Sequence, residues 1–264
     1  MHRFDRKSGG MSSLKKIPQV RGTCWCQIGI WLALVGIVLL IASLAGGGFE
    51  LLQPITALLL FRIACLVFIL SALVTTFGIV ISMGTAGQAS PLYSWGALTI
   101  SIIIISIAMS QRPGISGVPP IYDLTTDISN PPAFIAILPL LAEVPNRSEY
   151  AGADTAKQQQ ATYPDLITLT IDKPLDAVLT EAEMTVRKLG WDIVAIDPNT
   201  GRIEATDTSA WFRFKDDVVI RLTANDPGTR VDIRSRSRVG MGDMGANAER
   251  IRAFLNLLKT RTAD

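Results

Sequence analysis

Val218-Val219-Ile220-Arg221-Leu222-Thr223-Ala224, then Asn225-Asp226-Pro227-Gly228, then Thr229-Arg230-Val231-Asp232-Ile233-Arg234-Ser235-Arg236-Ser237-Arg238: this stretch decides the fold. The first arm, Val218 to Ala224, is rich in β-branched residues that suit a pleated, half-buried surface, and the second, Arg230 to Arg238, alternates with period two. The Asn-Asp-Pro-Gly segment between them is turn chemistry, so the arms read as an antiparallel hairpin. One register for the hairpin pairs Leu222 with Val231. In that register Arg221 faces Asp232, Asp217 faces Arg236, Arg234 lies opposite Val219, and Arg238 has no obvious acid.

Upstream of the hairpin the same pattern repeats. Trp191 to Ile196 and Arg202 to Thr208 are strands joined by the turn Asp197-Pro198-Asn199-Thr200-Gly201. Before them, Leu166 to Ile171 alternates like a strand. Pro174 then opens a helix with a single apolar stripe: Leu175, Val178, Leu179, Ala182, Val186 and Leu189. Gly190 stops it. Beyond the hairpin, Asp243 caps a closing helix whose stripe is Met244, Ala248, Ile251, Leu255 and Leu258, with Phe254 alongside. The order is strand, helix, four-strand meander, helix. It predicts an α+β module over 164–264, an antiparallel sheet of about five strands with two helices on one face.

Further out the composition changes. Three apolar stretches, about 27–45, 58–83 and 92–109, are each long enough at about 1.5 Å per residue to cross roughly 30 Å of hydrocarbon. They are read as transmembrane helices within 27–110, making the whole a membrane-anchored α+β protein. Small residues at Gly29-x-x-x-Ala33 and Ala97-x-x-x-Ser101 let such helices pack closely. The spans carry no paired ionisable groups of the kind a transporter needs. Between the last span and the module, 111–163 is rich in Pro, Gly, Asn and Asp and reads as an extended tether.

Charge orients the chain. Arg3, Arg6, Lys7, Lys15, Lys16 and Arg21 stand against Asp5 in the arm 1–26, whereas the loop Gly46 to Ala57 holds only Glu50. Basic flanks stay in the cytoplasm. The expectation is a multi-pass protein of the cell inner membrane, with a cytoplasmic amino terminus and, after three crossings, a periplasmic module. Arg62 sits one turn inside its span and snorkels toward the interface. Ser43-Leu44-Ala45-Gly46 resembles a signal-peptidase site, yet cleavage there leaves the module on the same side.

From Arg112 onward there are 18 Lys and Arg against 21 Asp and Glu, so the module lacks the basic balance of a nucleic-acid binder. All three cysteines (Cys24, Cys26, Cys65) precede it, and the single histidine is His2. That excludes Ser-His-Asp and Cys-His catalysis in the module, together with the commonest metal ligand. No cofactor or metal is expected, and the reading leans away from an enzyme. Gly240-Met241-Gly242-Asp243-Met244-Gly245 matches G-x-G-x-x-G. However, Asp243 would stand where pyrophosphate must sit, and no second strand follows. Glycines turning a strand into a capped helix explain the run. Asp216-Asp217 would serve a carboxylate hydrolase only if adjacent strand residues shared a face, and they do not.

A family resemblance rests on Pro119-Pro120-Ile121-Tyr122-Asp123, Asn130-Pro131-Pro132-Ala133-Phe134, Tyr163-Pro164-Asp165 and Gly190-Trp191. It continues through Gly201-Arg202-Ile203-Glu204-Ala205, the segments Phe214 to Arg221 and Asp232 to Gly240, and Asp243 to Asn247. Together these resemble the bacterial domain-of-unknown-function family 1499. The resemblance implies a bacterial, often membrane-associated protein and brings no assigned activity.

The candidate ligand-binding residues come from the sheet. Period two places Arg234, Arg236 and Arg238 on one face, opposite Val231 and Ile233. With helices on the apolar face, that row looks onto an open surface, joined by Arg221. Guanidinium groups bind carboxylate or phosphate bidentately, so an anionic envelope ligand, a lipid headgroup or glycan, is one reading. A cross-strand salt ladder is the other. Trp211, with Phe212 and Phe214, forms either an aromatic wall beside that row or core, and Asn247 either orients a ligand or bonds the preceding loop. The expected partners are the lipid bilayer and either an anionic envelope ligand or an envelope protein scaffolded by the module.

Overall fold

The computed structural model describes residues 21–84, 92–110, 119–142, 144–146 and 148–263. The basic arm through 20, the loop at 85–91, and Arg112 and Pro113 lie outside them. Two compact units divide the chain.

The first unit is built from three helices, α1 (Arg21–Gly48), α2 (Pro54–Gly84) and α3 (Leu92–Ser110). All three are long and apolar enough to cross a membrane. Small residues and hydroxyls make their contacts. Gly29 carbonyl accepts from Ser71 Oγ at 2.8 Å, and Ser101 Oγ donates to Ser71 Oγ at 3.3 Å. A methyl group at Gly29 would fall 2.0 Å from Thr75 Oγ1, so glycine there is a condition of the close α1–α2 approach.

The second unit holds the α1–α2 turn, residues 43–58, and everything after Met109. Its centre is an antiparallel sheet. Strands β3 (Asp192–Asp197), β4 (Arg202–Thr208), β5 (Lys215–Ala224) and β6 (Thr229–Ser237) form a consecutive meander. Two short strands, β1 (Asp123–Thr125) and β2 (Leu169–Ile171), share the far edge of β6. The sheet therefore has six strands, the meander being the one the turn chemistry marks. The hairpin register is also as expected: Leu222 pairs with Val231, Arg221 with Asp232, Asp217 with Arg236 and Val219 with Arg234.

One sheet face is apolar and covered by α5 (Leu175–Lys188) and α6 (Ala246–Thr262). Val178, Ala182 and Val186 of α5 and Ile251, Phe254 and Leu258 of α6 meet Ile203, Val218, Ile220, Val231 and Ile233 in one buried cluster. Each such side chain contributes about 1.5–3 kcal/mol of transfer free energy. Trp191 stacks on Phe254 with ring centroids 6.0 Å apart. Gly190, φ +78°, provides the left-handed residue that ends α5.

The segment read as a tether departs from expectation. Residues 119–163 supply β1, a 3₁₀ turn (Leu138–Leu141) and α4 (Ala153–Thr162), and they pack on the module. Proline bars long helices there, as expected, but it does not bar edge pairing or an irregular layer. Gln159 on α4 closes the β1 edge. Its side-chain Oε1 accepts from Thr125 N–H at 3.1 Å while its Nε2 donates to the Thr125 carbonyl at 2.5 Å, as a neighbouring strand would.

Candidate functional site

The second sheet face carries the arginine row, and it is not open. A roof formed by residues 126–150 crosses it, held by Phe134, Ile137 and Leu141, which bury against Val219. The reason is electrostatic as much as apolar. Three guanidinium groups on adjacent same-face positions need acceptors: β1 and the roof provide them for Arg234, β5 for Arg238, and the roof a single carbonyl for Arg236.

Arg234 is 3% exposed. It donates through Nε and Nη2 to the two oxygens of Asp123 at 2.9 and 2.7 Å, and its remaining donors reach the Pro132 and Ser148 carbonyls at 3.1 and 2.9 Å. The Phe134 ring lies 4.9 Å from the guanidinium carbon. Burial pushes the Asp123 carboxyl up against the opposing pull of Arg234. Arg238 takes Asp217: Nη2 to Oδ1 at 2.7 Å and Nε to Oδ2 at 3.0 Å. Thr206 Oγ1 donates to the same carboxylate at 3.0 Å.

Arg236 lies between these pairs and has neither acid. It is fully buried, its Nη2 donates to the Asn146 carbonyl at 2.7 Å, and its Nε and Nη1 have no hydrogen-bond partner among the described residues. Burial pulls its pKa down from the ordinary arginine value. Beside it a cleft of about 320 Å³ is lined by Pro131, Phe134, Leu138, Ser148, Tyr150 and Arg234. The Tyr150 hydroxyl is buried with no hydrogen-bond partner among the described residues, and burial, with Asp123 nearby, pushes it up to about 12.

Arg221 belongs to a separate cluster at the edge of the face. It donates to Asp127 at 3.0 Å and Asp232 at 2.8 Å, and Arg230 reaches the same two acids at 2.6 and 3.0 Å. Asp127 also accepts the Ser129 and Asn130 amides, tying the start of the roof to β5 and β6. Glu204, 1% exposed, accepts the Ile135 and Ile137 amides, each at 2.9 Å, and holds the roof's middle.

The other candidates lie elsewhere. Asn247 sits on the helix-covered face, accepting from Ser235 Oγ at 2.6 Å and donating to the Tyr122 carbonyl at 3.1 Å, where it locks α6 to β6 and to the chain before β1. It is a connector without access to the arginine row. Trp211 is 65% exposed on the β4–β5 turn, so it is not core, and beside it the half-buried Phe212 and Phe214 meet edge to face with centroids 6.4 Å apart. Asp216 pairs with Arg250 of α6 at 2.7 Å, away from Asp217, so the adjacent carboxylates do not converge. Asp243 accepts the Gly245 and Asn247 amides at 2.9 and 2.6 Å and fills the helix terminus that a phosphate would require. Among the described residues no group of three His, Cys, Asp or Glu is placed to hold a metal.

Several partners escape sequence reasoning: Asp123, Asp127, Glu204, Arg230 and Tyr150. A signal existed for two of them. Asp123 and Glu204 stand in segments that carry the family resemblance, Pro119 to Asp123 and Gly201 to Ala205, and Phe134 ends a third.

These features define a class: an α+β module, appended to three apolar helices, whose polar sheet face is sealed by its own chain over a buried arginine. Residues 123–258 match the family described as Protein of unknown function (DUF1499), and the chain belongs to that family. No curated protein matches the chain.

Proposed function

We propose that this chain is a multi-pass inner-membrane protein whose C-terminal module faces the periplasm and, without catalysing a reaction, binds an anionic group on Arg236. One observation carries the reading: Arg236 is fully buried, and its Nε and Nη1 are unpartnered among the described residues. A buried donor left unmade costs about 1–3 kcal/mol, and more when charged. The carbonyls of Pro132, Asn146 and Ser148 occupy guanidinium donors that carboxylate or phosphate oxygens would also satisfy. Residues 144–146 and 148–150 have no helix or strand, so a shift of this part of the roof joins Arg236 to the cleft at Tyr150. The planar fork of arginine suits an acidic headgroup or an acidic glycan. The basic arm before α1 and the three apolar helices among the described residues support the periplasmic orientation.

Native mass spectrometry of the full chain, released from its own membrane in mild detergent, tests this. A retained small anionic mass that disappears in Arg236→Met supports the reading, and a bare polypeptide in both proteins refutes it. A scaffold role is the second reading, favoured by Ile135, Leu138 and Leu140, which are 55, 43 and 51% exposed on the roof. A co-released polypeptide lost in Leu138→Asp/Leu140→Asp would select it.

A further inference from the structure

The β4–β5 turn, Ser209 to Phe214, is a closed structure. Ser209 N–H donates to the Phe214 carbonyl at 2.8 Å, and Phe214 N–H returns a bond to Ser209 Oγ at 2.9 Å. Within it Arg213 adopts φ +57°, a left-handed conformation uncommon for a residue with a side chain. The α1–α2 turn contains a counterpart, Glu50 at φ +56°. The two residues are partners: Arg213 Nε and Nη2 donate to Glu50 Oε1 at 3.2 and 3.1 Å, and Lys215 Nζ lies 3.7 Å from Oε2. Behind them the backbones nearly touch. A methyl group on Gly47 would lie 3.1 Å from the Trp211 carbonyl oxygen and 3.4 Å from Phe212 Cα.

The α1–α2 turn joins two helices of membrane-crossing length and apolarity, so it emerges where hydrocarbon gives way to headgroups. Phe49 and Leu51 at that turn are each 77% exposed, and Trp211 is 65% exposed on the turn paired with it. Large apolar side chains bared to water are costly, and the exposed indole at this level has the composition of an interfacial belt. Arg213 and Lys215 add positive charge beside it, which suits anionic headgroups.

We propose that the turn Ser209–Phe214 is an interfacial anchor: Trp211 enters the headgroup region beside Phe49 and Leu51, and the Glu50–Arg213 pair clamps the module to the turn that fixes this depth. The partner is the bilayer surface itself. This does not depend on any ligand at Arg236.

The test is oxygen and nickel-chelate accessibility of a nitroxide at Ala210→Cys, which leaves Trp211 in place. The full chain, with Cys24, Cys26 and Cys65 changed to Ser, is placed in nanodiscs of phosphatidylethanolamine and phosphatidylglycerol. Asn199→Cys, exposed in the turn at the opposite end of β4, is the aqueous reference. The anchor predicts several-fold higher oxygen-to-nickel preference at 210 than at 199, and loss of that preference when Trp211→Ser is added. Equal aqueous accessibility at both positions, or a preference at 210 unmoved by Trp211→Ser, overturns it.

Discussion

Asp217 stands directly across the sheet from Arg236, yet both its oxygens are held by Arg238. On the other side of β6, Asp123 is also opposite Arg236 and is held by Arg234. Two aspartates thus serve the outer arginines of a row of three, and the central one is left with donors to spare.

That arrangement makes the two members of one pair unequal. Removing Asp217 strips the half-buried Arg238 of its carboxylate and leaves buried Arg236 none to turn to on β5, which by the usual cost of breaking a buried pair is about 3–5 kcal/mol. Removing Arg238 leaves Asp217 facing an arginine with free donors. Asp217→Asn should therefore destabilise the module more than Arg238→Met does, and Arg238→Met should quench much of the spare capacity at Arg236. Hydrogen-exchange protection of β5 and β6 amides in the full chain in detergent measures both. Equal losses would mean that Arg236 cannot turn to Asp217.

Glu204 gives a second expectation. From strand β4 its carboxylate holds two amides in the middle of the roof, those of Ile135 and Ile137. Hydrogen bonds to a charged acceptor are worth about 1.5–3 kcal/mol. Glu204→Gln keeps the shape, halves the acceptors and turns an N–H₂ toward an N–H. Exchange at Ile135 and Ile137 should accelerate by a factor of ten or more, at about 1.4 kcal/mol per decade, while β3 amides stay protected.

Gln159→Leu tests whether the α4 segment is part of the fold. The substitution removes both bonds to Thr125 and leaves a buried N–H and C=O unmade, at a cost of about 1–3 kcal/mol. The urea midpoint should fall, with the Thr125 amide losing protection first. An unchanged midpoint would show that α4 merely lies on the module.

The legible part of the fold was the part with a period. Alternation in Val218–Ala224 and Arg230–Arg238 gives the hairpin and its register, and the 3.6-residue stripes give both covering helices and their common face. The roof has no period. It is proline-rich, irregular and held by contacts across great distances in sequence: Asp123 and Arg234 are 111 positions apart. A strand of three residues, such as β1, gives too few alternations to read. The arginine row was visible as a row, but whether it met water or backbone depended on chain that carried no pattern. The places of Trp211 on a turn and of Asn247 behind the sheet were hidden for a related reason. A turn residue has no face, and a helix residue facing the sheet from the apolar side cannot reach the polar one.

Acid should loosen the module through Asp232. Burial raises this carboxyl, but hydrogen bonds from Arg221, Thr168 and Arg230 outweigh that and hold it below the usual carboxylate range. Because the folded value lies below the unfolded one, near 3.9, the unfolded chain takes up the proton first as pH falls. The stabilisation is complete above about pH 5 and is lost as pH drops through the unfolded value and then the folded one. Asp123 and Asp216 act with the opposite sign, since burial raises both above their ordinary value and their protonation favours the folded state. The acid limb of the wild type is therefore a sum, and the variant isolates one part of it. Asp232→Asn should lower stability at pH 7, and between pH 5 and 3 its stability should fall less steeply, by up to about 1.4 kcal/mol per pH unit. Exchange-derived opening free energies of β6 amides at several pH values check both limbs. Parallel curves for the two proteins would remove Asp232 from the acid response and place it on other carboxylates.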